Sequence, residues 1–166
     1  MEEDWESKIA DYFSEAVYLE HAAFYFYLSV GAHFDSQSMA LHNLRNFFYN
    51  ESDDELTHGK KVIKFMNQRN LKWTRMTIET PDPSNMTVAE VFEKAAEFEQ
   101  KVLNNYLKIQ KAASDANDFI TTQFVDDFIA KQIKEVKEFR DYAMNAKRCT
   151  DPLGVFIFDQ SFSKKK

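Results

Sequence analysis

The chain has 166 residues, of which 44% are hydrophobic and 15% aromatic, a composition that builds one globular core and excludes intrinsic disorder. Its net charge of −6 excludes a protein that coats nucleic acid, because phosphate contacts need clustered Lys and Arg. The basic run Lys164 to Lys166 is a short solubilising tail. No stretch approaches the roughly 20 apolar residues of a membrane span. The acidic start, "MEEDWESK", is unlike a signal or transit peptide, and a single cysteine, Cys149, leaves no intrachain disulfide; a reducing, cytoplasmic setting is expected.

Three glycines and three prolines provide little punctuation for a many-stranded fold, so long helices are expected. A buried helical seam takes residues alternately three and four apart. The first seam is Ile9, Phe13, Ala16, Glu20, Ala23, Tyr27, Val30 and Phe34, in a helix predicted over 5–34. The short turn "HFDSQSM" (33–39) leads to an antiparallel helix over 39–67, whose seam is Leu41, Leu44, Phe48, Glu51, Glu55, His58, Val62 and Phe65. Residues 67–85, with Pro81 and Pro83, are too many for a turn. A segment of that length is required where a crossover runs the length of a four-helix bundle.

Thr87 to Glu90 reads as a capping box, with Met86 and Val91 placed as a hydrophobic staple. It opens a third helix, 87–115, whose seam is Val88, Phe92, Ala95, Glu99, Val102, Tyr106, Ile109 and Ala113. After "SDAND" a fourth helix, 119–148, presents Thr121, Val125, Phe128, Gln132, Glu135, Phe139, Tyr142 and Ala146. Asp151-Pro152 begins a short last helix, 152–162. The expected fold is all-α: a single-domain, up-down four-helix bundle with one long crossover and a short fifth helix at its C-terminal end.

Every seam carries polar residues near its middle: Glu20; Glu51, Glu55 and His58; Glu99; Gln132 and Glu135. Packed side by side, helices of similar length bring these to one level of the core. Unpaired, each buried carboxylate costs roughly several kcal/mol. No Lys or Arg shares a seam with them, whereas a pair of divalent or trivalent cations neutralises them. Carboxylate-bridged di-iron bundles use one Glu from each of two helices and a Glu-x-x-His pair from each of the others. Here Glu20 and Glu99 are the single acids, Glu55 and His58 form one pair, and Gln132 with Glu135 replaces the second. Oxygen donors with one imidazole suit iron, and also zinc or manganese. A lone Glu-x-x-His is most often a surface feature; agreement across four helices is what gives this one weight. Tyr27 is either a core aromatic or a hydrogen-bond donor to a site carboxylate. Asp53, Lys60 and Lys61 read as surface, and Cys149 as an incidental thiol.

The segments "YLEHAAFYFYLSVGAHFD", "NESDDELTHGKKVIKFMNQR", "AEFEQKVLNNYLKIQKAASDAND" and "AKQIKEVKEFRDYA" resemble, in order, the helices of ferritin subunits, over essentially the whole chain. The resemblance implies one ferritin-like domain, 1–166, assembling as a homo-oligomeric shell of twenty-four subunits. It implies ferroxidase chemistry, in which Fe(II) is oxidised by dioxygen and Fe(III) is stored as mineral inside the shell. It assigns Glu20, Glu55 and His58 to a first iron, with Glu55 bridging, and Glu99 to the second. Tyr27 and Gln132 fall on the family's supporting tyrosine and glutamine. Glu51 and Glu135, with Asp54 beside them, match relatives that have a third iron position; Lys131 stands where many of those have an acid. Leu56 replaces the haem-ligating Met of bacterioferritins, so no haem is expected. Asp126 and Asp127 are the candidates for an entry channel. Val155, Phe156 and Phe158 are expected at a four-fold contact of the shell. The alternatives are a di-iron peroxidase or oxygenase of rubrerythrin type and a non-enzymatic metal-buffering helical protein.

Overall fold

The three-and-four spacing is realised as four long helices, α1 (Trp5–Asp35), α2 (His42–Gln68), α3 (Val88–Asp115) and α4 (Phe119–Lys147), followed by short α5 (Pro152–Gln160). The computed structural model describes residues 4–163, so the basic tail Lys164 to Lys166 lies outside the described residues. All eight seam positions of α1 and of α3 are buried. On α2 only Glu51 is partly exposed, and on α4 Phe128 and Glu135 are, because the α4 seam drifts to include Ile129 and Val136. No helix among the described residues is long and apolar enough to cross a membrane.

Two apolar clusters fill the bundle and reveal its directions. One joins the C-terminal half of α1 to the starts of α2 and α3 and the end of α4, through Phe34, Phe48, Phe92 and Phe139. The other joins the start of α1 to the ends of α2 and α3 and the start of α4, through Phe13, Phe65, Ile109 and Val125. Each hairpin is therefore antiparallel, whereas α2 runs parallel to α3, and the crossover must carry the chain back along the bundle's full length. Its backbone is pinned on the way: Thr74 N–H donates to buried Ser14 Oγ at 3.0 Å. Trp73 meets the His21 ring edge-on at 6.2 Å.

Helix ends are set by local chemistry. Thr87 and Glu90 form the reciprocal capping box at the start of α3, at 3.2 Å and 2.7 Å. Asn70 and Asn117 end α2 and α3 with φ of 55° and 56°, a left-handed conformation that Asn tolerates. The start of α2 has Leu41 at its N-cap and no cap of its own. The cap comes from α5 instead: buried Asp159 accepts from the N–H groups of Asn43 (3.0 Å) and Leu44 (2.9 Å) and from Asn43 Nδ2 (2.8 Å). With Asp159 anchored, Phe158 and Phe162 turn into the core and Val155 packs beside them. Leu153, Phe156 and Ile157 are the residues that face outward, 57–67% exposed. Of Val155, Phe156 and Phe158, expected together at a four-fold contact, Phe158 is instead buried on the inner side, Val155 is partly buried and Phe156 is exposed.

Replacing Asp159 by Ala strands the first N–H groups of α2 inside the fold. Asp159→Ala is expected to lower unfolding stability by about 1–3 kcal/mol, read by chemical denaturation, and to make residues after 150 protease-sensitive. Unchanged stability would contradict the capping role.

Candidate metal centre

The polar seam residues lie where the two apolar clusters meet. Glu20 follows Leu19 on α1, Glu55 sits between Phe48 and Val62 on α2, and Glu99 between Ala96 and Val102 on α3. The packing there is close: a Cβ on buried Gly59 would come within 2.8 Å of His21 Nε2, so glycine lets α2 approach α1 beside the site.

Glu20, Glu55 and His58 are brought together, with one potential ligand atom from each inside a span of 4.8 Å. His58 Nδ1 faces Glu20 Oε2 and Glu55 Oε2, each at 3.6 Å. Glu20 Oε2 is buried and has no hydrogen-bond partner, as an atom awaiting a cation would be. Glu99 stands outside this triad, with both oxygens engaged. Tyr27 donates to its Oε1, and Gln132 Nε2 donates to its Oε2. Glu51 and Glu135 stand at the rim, partly exposed, beside Asp54, which is exposed.

The electrostatics record how many acids meet here. Burial, followed by the charge of Glu20, pushes the Glu55 carboxyl well above the usual range. Burial also opposes ionisation of Glu20, but Glu55, His58 and Tyr106 outweigh it and hold that carboxyl below its ordinary value. Glu99 and Glu51 are each raised to about 8, first by burial and next by the charge of Glu135. Glu135 itself is raised by burial, against the pull of Lys131. Such a set holds protons it would release to a metal, because ligation requires carboxylates.

Tyr106, a seam residue by its spacing, also takes part in the site: its hydroxyl donates to Glu20 Oε1 at 2.5 Å. The signal was present: Tyr106 follows Glu99 by the same seven residues that separate Tyr27 from Glu20. No Lys or Arg shares a seam with the acids, yet Lys131, beside Gln132, still reaches them. Its long side chain brings Nζ to 3.1 Å from Glu135 Oε1 and 2.7 Å from His58 Nε2. A groove of about 610 Å³ between α2 and α4 runs past both residues, lined also by Lys61, Lys64 and Asp127. Asp126 is held by Gln110 Nε2 at 2.6 Å.

Comparison with known proteins gives a consistent picture. Residues 10–149 match the ferritin-like domain model. The chain is similar to the soma ferritin of Lymnaea stagnalis, 31% identical over 144 residues that cover 86% of this chain and 83% of that protein. It is 30% identical to a ferritin heavy chain of Echinococcus granulosus over the same shares. With a ferritin of Pacifastacus leniusculus it shares 27% over 155 residues, 92% of this chain and 86% of that one.

The raised carboxyls set the sign of a pH dependence. Glu51 and Glu99 move from 4.5 toward about 8, so between these values the folded metal-free chain binds protons that the unfolded chain has released. Its stability is expected to fall as pH rises through that window, giving a lower melting temperature at about pH 8.5 than at about pH 6. Saturating Zn(II) should remove most of the slope at the alkaline end. A metal-free protein whose stability rises over this range would contradict the buried cluster.

Proposed function

Since the chain belongs to the ferritin family, we propose that it stores iron, oxidising Fe(II) with dioxygen at the Glu20–Glu55–His58–Glu99 centre and holding Fe(III) within a shell of its own copies. The observation that supports this most is the buried triad with its unpartnered Glu20 oxygen. Iron is the substrate in this reading. Glu20, Glu55 and His58 bind the first ion, with Glu55 shared with the second, and Glu99 completes the second. Glu51 and Glu135, at the rim, are the acids that a third position would use.

The protein's part is binding, charge and proton handling. Carboxylates favour Fe(III) over Fe(II), because the higher charge gains more from anionic oxygen donors, and so they ease electron transfer to dioxygen. Glu55 and Glu99 give up their held protons as iron enters and recover them as it leaves, which keeps the ions from becoming a permanent cofactor. Tyr27 and Tyr106, whose hydroxyls burial keeps protonated, orient Glu99 and Glu20 as donors. Gln132 does the same for Glu99 from α4. For assembly, the outward apolar residues Leu153, Phe156 and Ile157 of α5 offer a surface for neighbouring copies in a shell of twenty-four.

Rapid mixing of anaerobically Fe(II)-loaded protein with oxygen tests the chemistry. The double variant Glu55→Ala, His58→Ala is expected to lose more than about 100-fold in the fast oxidation rate. An unchanged fast phase would show that the centre lies elsewhere. Tyr106→Phe is expected to lower metal affinity or rate by about 10–100-fold while the assembly keeps its mass. Storage is tested by mass in solution: a particle of about twenty-four chains supports the shell, and a monomer or dimer rules it out.

A further inference from the structure

Lys131 reaches the metal centre from off the seam, and its ammonium bridges α4 to α2. Nζ lies 3.1 Å from Glu135 Oε1 and 2.7 Å from His58 Nε2. The other oxygen of Glu135, Oε2, is buried without a hydrogen-bond partner. After burial, the charge of Glu135 is the strongest influence on the carboxyl of Glu51, one turn before Glu55 on α2, so these two acids share one electrostatic neighbourhood. They are the acids of the third position, and one of them already carries a cation that belongs to the chain.

We propose that Lys131 is a tethered cation that fills the third position of this centre, so that the protein takes up two divalent ions per subunit and excludes a third. The inference rests on the reading of Glu20, Glu55, His58 and Glu99 as a two-ion site. Geometry carries it. The ammonium already lies on Glu135 Oε1, an oxygen a third ion would need, and it also reaches His58 of the pair. A third divalent ion held by Glu135 would stand beside that ammonium and be repelled by it.

The same ammonium touches His58, a ligand of the pair, so filling the pair would act on the plug. An ammonium can only donate, so this contact needs His58 Nε2 as its acceptor. A metal held through Nδ1 would leave the ring proton on Nε2, facing the ammonium, and only the contact with Glu135 would remain. A lysine suits this role, being a compact charge on a flexible stem that needs no fixed ligand geometry.

Anaerobic titration of the metal-free assembled protein with Co(II) alone, followed by calorimetry and equilibrium dialysis, counts the tight sites. Wild type and Lys131→Arg, which keeps the charge, are expected to bind two ions per subunit. Lys131→Glu removes the ammonium and adds a carboxylate, and is expected to bind three. Adding Glu51→Gln and Glu135→Gln to that variant should return it to two. Should Lys131→Glu not assemble, Lys131→Met is expected to bind a third ion at least ten-fold more tightly than wild type does. Three ions in wild type, or no third ion in either the Glu or the Met variant, would overturn the proposal and leave the pair intact. No tight ion in wild type would overturn the pair and this inference together.

Discussion

The structure depends on one constraint: acids on four different helices are withdrawn from water at a single level of the bundle. A carboxylate so placed is costly unless something positive or hydrogen-bonding meets it, at roughly several kcal/mol each. The chain meets the cost with local donors and with protons. Tyr106 serves Glu20, Tyr27 and Gln132 serve Glu99, and burial and the charge of Glu20 raise the affinity of the Glu55 carboxyl for a proton. What these groups do not satisfy, the buried Oε2 atoms of Glu20 and Glu135, marks where positive charge belongs. The apolar clusters above and below then act as insulation, since the attraction between an ion and its ligands grows as water is excluded.

The arrangement has an internal near-symmetry. Each of α1 and α3 carries a glutamate followed seven residues later by a tyrosine, and each tyrosine hydroxyl crosses to the other helix's glutamate. Each of α2 and α4 carries a pair spaced by three, Glu55 with His58 and Gln132 with Glu135. The correspondence follows from the topology, because α1 opposes α3 in direction and α2 opposes α4. It breaks at the second pair, where Gln132 spends its amide on Glu99 and Glu135 stands opposite His58, with Lys131 touching both. The two halves of the centre are thus chemically unequal, one offering an imidazole and the other an ammonium.

Much of this is legible in the sequence, and the reasons are physical. A seam repeats every turn, so residues such as Ile9, Phe13, Phe48 and Phe92 announce burial through spacing alone. Thr87 and Glu90 interact within one turn, so their capping box is local and readable. The length of the 67–85 segment implies a crossover because no short turn needs so many residues. What escaped were contacts that periodicity does not encode. Asp159 caps α2 from more than a hundred residues away. Lys131 reaches the acids through its length, not its register. On α5, with only nine residues, the expectation grouped Phe158 with Phe156 on one outer face, whereas the Asp159 anchor turns Phe158 inward.

The central claim is that the buried acids exist to hold a pair of metal ions between α1, α2 and α3. Crystals soaked anaerobically in Fe(II) and measured at the iron absorption edge test it most directly. Two anomalous peaks per subunit are expected, one within bonding distance of Glu20, Glu55 and His58, the other between Glu55 and Glu99. An empty centre with iron bound only at surface acids would contradict it.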